Sequence, residues 1–236
     1  IANGVLAGTA LNGTSFDGIG RIAGWSFTTR PAPPAGLTSV VVDDDGPADF
    51  RTVQGALDHI MRNAARDTPA VVSVRNGTYR ELLFLRAKNN VSIVGQSREG
   101  VMIQYRNYEA LNSGSGASQA VGSGSPGGGR SVLMVETSDL LTLDTLTITN
   151  TMLRSTSASS QAETVYFNND AGRLIAKNAN FLSEQDTVQL KGYAWFFNSL
   201  VSGNVDFIWG NNRVALFEAS EIRSVGDTTS TTSGGY

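Results

Sequence analysis

What most constrains this chain is a recurrence in its second half. The segments Thr145-Leu146-Thr147-Ile148, Asn178-Ala179-Asn180-Phe181, Asn198-Ser199-Leu200-Val201 and Ala219-Ser220-Glu221-Ile222 share a polar-then-apolar shape. Their apolar anchors Ile148, Phe181, Val201 and Ile222 lie 33, 20 and 21 residues apart, the first interval holding an insertion. Around them the chain is a series of short apolar runs, at 38–42, 70–74, 91–94, 101–105 and 132–135 and on to Ile222, separated by Asn, Gly and Ser turns. A period near twenty in a chain of short strands fits a parallel β-helix, each coil laid on the last and filled by ladders of apolar side chains. A β-sandwich is the alternative, but hairpin signals such as Asn-Gly are rare after Asn76-Gly77. One helix is expected near the start: Thr52 can cap it, and Val53, Ala56, Leu57, Ile60 and Met61 fall at i, i+3, i+4, i+7 and i+8. The expected class is therefore all-β, a parallel β-helix with one N-terminal capping helix.

That coil length gives two aspartates a geometry. Asp186, in Glu184-Gln185-Asp186-Thr187-Val188, and Asp206, in Gly203-Asn204-Val205-Asp206-Phe207-Ile208-Trp209-Gly210, are 20 residues apart. Burying a carboxylate costs several kcal/mol (~2 or more) unless it is paired or protonated, so an Asp within an apolar run is not there for packing. On successive coils the two would sit about one strand spacing, ~4.8 Å, apart. Gln161, 25 residues before Asp186, is expected one coil further along, making a column on the outer surface. Two carboxylates that close do not both ionise freely, so one holds a proton and the other is anionic. Such a pair offers an acid and a nucleophile or base, with amide donors from Gln161 and Gln185 beside it. An Asn/Asp turn ladder with no chemistry is the plain alternative.

Composition removes other classes. The 236 residues are 40% hydrophobic and 17% charged, enough for a full core, and contain no apolar run of membrane-spanning length. A net charge of −3, without a Lys/Arg cluster, disfavours nucleic acid as a partner. There is no cysteine, which excludes a disulfide framework, a zinc–thiolate site and a cysteine nucleophile. His59 is the single histidine and lies off the apolar stripe of its helix, so it reads as a surface bystander and Ser-His-Asp catalysis is excluded within these residues. Asp43-Asp44-Asp45 lacks the spaced pattern of a calcium loop and reads as a solvated turn, with no metal expected.

Residues 1–30 are rich in Gly, Ala and Thr and end in an alternating stretch with Trp25 and Phe27 on one face. That stretch resembles the last strand of a bacterial Ig-like module; a leader with one adhesive strand is the alternative. Residues 31–36, rich in proline, read as a stiff linker, and a new domain is expected over 37–236. Because Ile1 stands where a Met start would be, the natural chain is expected to begin earlier.

From about Leu37 to Tyr236 the chain resembles carbohydrate esterases of the pectin methylesterase family. The resemblance rests on Phe50-Arg51-Thr52-Val53-Gln54, Asn76-Gly77-Thr78-Tyr79-Arg80-Glu81, Val94-Gly95-Gln96-Ser97-Arg98, Gln161-Ala162, Gln185-Asp186-Thr187 and Asp206-Phe207-Ile208-Trp209-Gly210. It implies a right-handed parallel β-helix that de-esterifies methylated polygalacturonate without a cofactor, as a secreted or cell-envelope monomer. By the same resemblance Asp206 matches the nucleophile, Asp186 the general acid/base, Gln161 and Gln185 the groups that stabilise the oxyanion, and Tyr166 and Trp209 the aromatic lining of the sugar groove.

Some positions depart from the family pattern. Glu163 puts a charge where the family is mostly apolar, Trp209 stands where phenylalanine is usual, and residues 112–129 form a Gly/Ser-rich insertion. The family's Leu-Gly-Arg-Pro-Trp segment, whose arginine pairs with the nucleophile, is expected beyond residue 236. These departures leave an acyl thioesterase and a non-catalytic polysaccharide-binding β-helix as alternatives. A lyase is disfavoured because the nearest basic residues in sequence are Lys191 and Arg213.

Overall fold

The computed structural model describes residue 31 and residues 33–114 and 129–226. The chain divides into two compact units, Ile1–Pro33 and Pro34–Tyr236, and the architecture below is that of the second. The expected strand with Trp25 and Phe27, and most of the 112–129 insertion, lie outside the described residues.

The elements in order are β1 (Ser39–Val42), α1 (Val53–Asn63), β2 (Ala70–Val74), β3 (Gly77–Tyr79), β4 (Leu83–Arg86), β5 (Val91–Gly95), β6 (Val101–Tyr105), β7 (Leu133–Glu136) and β8 (Leu141–Asp144). They continue as β9 (Thr147–Asn150), β10 (Val165–Asn168), β11 (Arg173–Lys177), β12 (Asn180–Leu182), β13 (Val188–Phe197), β14 (Leu200–Gly203), β15 (Ile208–Glu218) and β16 (Glu221–Ser224). Neighbouring strands pair in parallel, each with the strand one coil away, which is the parallel β-helix expected from the period. Three columns result. One holds β4, β7, β10 and the first parts of β13 and β15; the second holds β1, β2, β5, β8, β11 and the second parts of β13 and β15; the third holds β3, β6, β9, β12, β14 and β16.

Strands β13 and β15 run through two columns because the chain turns a corner without breaking its ladder. The corner in β13 is at Gly192, where φ is +66° and the register shifts before Tyr193. A Cβ there would lie 2.4 Å from the carbonyl oxygens of Asn169 and Gly172, so only glycine fits.

The sequence period becomes packing. Ile148, Phe181, Val201 and Ile222 are direct register partners, stacked in the third column. Phe181 meets Phe196 edge-on at 5.5 Å, and Phe196 stacks on Phe217 at 4.7 Å. Each fully buried side chain of this kind stabilises the fold by about 1.5–3 kcal/mol through apolar burial.

Helix α1 lies against β1, β2 and β4 and buries Val53, Ala56, Leu57 and Ile60. Thr52 Oγ1 accepts from Gly55 N, and both carboxylate oxygens of Glu81 accept from Val53 N and Gln54 N (2.8 and 2.9 Å), so the free N–H groups of the first turn are satisfied. His59, expected on the helix surface, is buried instead. Its ring packs 5.4 Å from Phe50, with Nε2 3.0 Å from Leu37 O and Nδ1 3.2 Å from Asn63, because the chain around β1 covers that side of the helix.

Candidate functional site

The long insertions into the coil fall at one corner, between the third column and the first: residues 106–132 before β7 and 151–164 before β10. On the next two coils the same corner shrinks to residues 183–187 and 204–207, and it carries Asp186 and Asp206. They occupy equivalent positions, since Val188 pairs with Ile208, Gln185 bridges Val205, and Asp186 N donates to Val205 O (2.9 Å). Both backbones are left-handed, with φ of 63° and 49°. Aspartate tolerates that conformation better than most residues but still at a cost of about 1 kcal/mol.

Their surroundings differ. Asp206 is exposed, whereas Asp186 is 4% exposed. Asp186 Oδ2 accepts from Arg130 Nη2 at 2.9 Å. Arg130 also donates from Nε to both oxygens of Glu163 (2.9 Å each) and from Nη1 to Glu109 Oε2 (2.9 Å), and its guanidinium lies 5.7 Å from the Trp209 ring. Glu163 is completely buried.

Side-chain amides fix this arginine. Asn107 Nδ2 donates to Gly129 O and Ser131 O on either side of it, and Asn150 Nδ2 donates to Arg130 O and Glu163 O. Arg130 N closes the segment onto Gly114 O (3.1 Å).

Burial is the main force on the acids. It pushes Asp186 up to about 6 against the pull of Arg130, with the charges of Asp206 and Glu109 adding to the rise. Burial likewise raises Glu163, reinforced by Asp186 and opposed by Arg130, from which both of its oxygens accept. Arg130 is desolvated too, yet Glu163, Glu109 and Asp186 together hold it more firmly cationic than usual.

The two glutamines meet here as well. Ala162 N donates to Gln185 O (3.3 Å), which sets Gln161 beside Gln185 on the neighbouring coil. The Gln185 side chain opposes the rise of the Asp186 carboxyl and accepts from Ser160 Oγ, and Gln161 Oε1 has no partner among the described residues. The column itself is not the one expected. Val165 pairs with Val188, so the residue one coil before Asp186 is Glu163, and Gln161 lies two residues earlier. The insertion alters the offset from 20 to 23, which spacing alone does not show.

Of the two aromatic residues, Trp209 is half-buried at the site. Tyr166, expected to line a groove, is completely buried, and its Oη has no partner among the described residues. It lies in the outer row Met134, Tyr166, Gln189, Trp209, set by the strand register.

Proximity in sequence missed the cation. Lys191 and Arg213 both turn to Asp170, at 3.8 Å from its carboxylate and 2.7 Å from its carbonyl. Arg130, 56 residues before Asp186, takes the place beside it. One signal did point there: Glu163, a charge just before the apolar strand β10, requires a buried counter-ion.

A surface cavity of about 500 Å³ is lined by residues including Arg106, Tyr108, Met152 and Arg154. Arg154 N donates to Glu184 Oε2 (2.6 Å), tying this wall to the residue before Gln185. The carboxylate oxygens of Asp43, Asp44 and Asp45 lie within 4.8 Å of one another. Asp43 accepts from Gly46 N and Asp45 N, which is the bonding of a turn, and Asp44 accepts from Thr78 N on β3.

Known proteins resemble this chain in sequence and fold. The family profile described as Pectinesterase matches residues 39–232. Pectinesterase A of Dickeya dadantii is 30% identical over 202 residues, 80% of this chain and 53% of that protein. Pectinesterase 4 of Arabidopsis thaliana is 28% identical over 181 residues, 76% of this chain and 28% of that protein. The structure of a pectin methylesterase from Erwinia chrysanthemi superposes with a TM-score of 0.65 at 27% identity, covering 85% of this chain and 59% of that one. The chain thus spans about half or less of the length of these curated relatives.

Proposed function

The chain belongs to the pectinesterase family, and from that premise we propose that it hydrolyses methyl esters of galacturonan, releasing methanol. The observation that carries the reading is the inequivalence of two carboxyls at one repeated turn: Asp206 exposed, Asp186 buried and charge-paired. Asp206, the exposed anion, attacks the ester carbonyl carbon. The amides of Gln161 and Gln185 receive the oxyanion that forms. Asp186 bonds Arg130 through Oδ2, which leaves Oδ1 to hold a proton and deliver it to the departing methoxide. A water then gives its proton to Asp186 and adds to the acyl-aspartate, and cleavage returns both carboxyls to their starting states.

A largely methylated polymer is nearly uncharged, so the chain's charge of −3 does not oppose its binding. Trp209 and the cavity whose Arg154 wall is bonded to Glu184 provide an aromatic and polar surface for sugar rings. A pectin methylesterase structure in complex with a hexasaccharide, 28% identical, supports a polymeric substrate. Such a substrate implies action outside the cell or at its envelope. No described helix is long and apolar enough to cross a membrane. Each proposed catalytic group comes from one chain, so a monomer suffices. The test is methanol release from highly methylated pectin, with an acyl thioester as control. Methanol without thiol is expected; thiol alone assigns a thioesterase, and neither product assigns a binding module.

A further inference from the structure

The chemistry just described leaves Arg130, Glu163 and Glu109 without a task, although they form the most heavily charged buried cluster at the site. The Arg130 guanidinium engages three carboxylates: Nε on Glu163, Nη1 on Glu109, Nη2 on Asp186. Its side chain is 11% exposed, and the backbone on both sides is held by Asn107 and Asn150, so it does not swing to follow Asp186.

A lone arginine at 2.9 Å would favour the ionised form of Asp186 and remove the acid that the first step needs. Glu163 opposes this. It takes two of the four carboxylate bonds of Arg130, is itself completely buried, and stands one coil from Asp186 as its register equivalent. The groups facing Asp186 are therefore Arg130 from the insertion, Glu163 from the preceding coil, Glu109 across the guanidinium, Asp206 from the following coil, and the Gln185 amide.

We propose that Arg130 and Glu163 act together as positioning residues, the arginine orienting the Asp186 carboxyl and the glutamate offsetting the arginine's charge so that the arginine does not strip Asp186 of its proton. The proposal rests on the ester-hydrolysis reading for its purpose. Its physical content is independent: one neighbour lowers the proton affinity of Asp186, the other raises it.

The test uses the full chain labelled with 13C at the aspartate carboxyls, the Asp186 resonance being assigned by its loss in Asp186→Asn. The titration midpoint of Asp186 is followed in wild type, Glu163→Gln and Arg130→Gln. Loss of the Glu163 charge should lower the midpoint and loss of the Arg130 charge should raise it, each by about one pH unit, a tenfold change in proton affinity. The high-pH limb of kcat should move the same way in each variant. Midpoints that do not move, or that move in the same direction, overturn the proposal. If Glu163→Gln does not fold, Glu109→Gln removes a second, more exposed carboxylate from the same guanidinium and should lower the midpoint too; no change there overturns it equally. Midpoints that shift as expected in a protein that releases no methanol would keep the device and sink the ester-hydrolysis reading. Unmoved midpoints with methanol released would sink the device alone.

Discussion

Two corners of this β-helix use the same backbone for opposite ends. At the corner between the second and third columns, Thr145, Asn178, Asn198 and Ala219 take φ between 46° and 55° on successive coils. At the corner between the third and first, Asp186 and Asp206 are left-handed too, at 63° and 49°. The asparagine corner satisfies itself: Asn198 Nδ2 donates to Asn178 Oδ1 (2.8 Å), and Asn178 Nδ2 donates to Asp144 Oδ1 (3.1 Å). An amide is both donor and acceptor, so a stack of amides closes into a ladder. Two ionised carboxylates are acceptors only and repel, so the aspartate corner needs a proton, a cation or water. The first corner is therefore structure, and the second stores electrostatic strain of the kind found at reactive sites.

Making the second corner like the first should break function first. Asp206→Asn should reduce kcat/KM by at least about 10³-fold, since an amide does not replace the nucleophile. Methanol release kept within tenfold would remove Asp206 from that role. Asp186→Asn keeps shape and most hydrogen bonds but has no proton to give. Its kcat should fall about 10²- to 10⁴-fold while KM changes little. A large rise in KM with kcat preserved would make Asp186 a binding group.

The same substitution should sharpen the comparison through stability. The folded protein holds Asp186 at about 6 against an ordinary 3.8, so its favourable contribution is complete below about pH 4 and is lost as pH rises to about 6. Asp186→Asn, which has no carboxyl to ionise, should gain on wild type over that window, by about 1–3 kcal/mol at pH 8 relative to pH 4. Denaturant titrations at the two pH values measure this, and a pH-independent difference would mean that the buried carboxyl is not strained. The smallest effect belongs to the first corner. Ala219 holds φ of 47° without an amide to help, so Ala219→Gly should stabilise by about 0.5–1 kcal/mol. A loss of stability would show that the turn is not strained there.

Much of the fold was legible because a solenoid repeats itself in sequence. The anchors Ile148, Phe181, Val201 and Ile222 are register partners as the spacing required, and the helical stripe of Val53, Ala56, Leu57 and Ile60 is the buried one. The helix and the core follow from apolar periodicity, which is local. His59 was misjudged because its cover, Leu37 and Phe50, comes from outside the helix.

The limit of the sequence is set by the insertions. Where the coil is a clean twenty residues, Asp186 and Asp206 face each other by arithmetic. Where 32 or 50 residues separate paired positions, as for Leu133 with Val165 and Leu83 with Leu133, arithmetic gives no register. Those insertions bring Glu109, Arg130 and Glu163 to the aspartate corner, and they decide that Gln161 stands out of column. The sequence by itself determined the coil, its core ladder and the pairing of two aspartates, since these depend on a repeat read along one dimension. Only the tertiary structure decided which aspartate receives the cation, because a guanidinium 56 residues away is brought to 2.9 Å by loop closure and buried hydrogen bonds that leave no period in the chain.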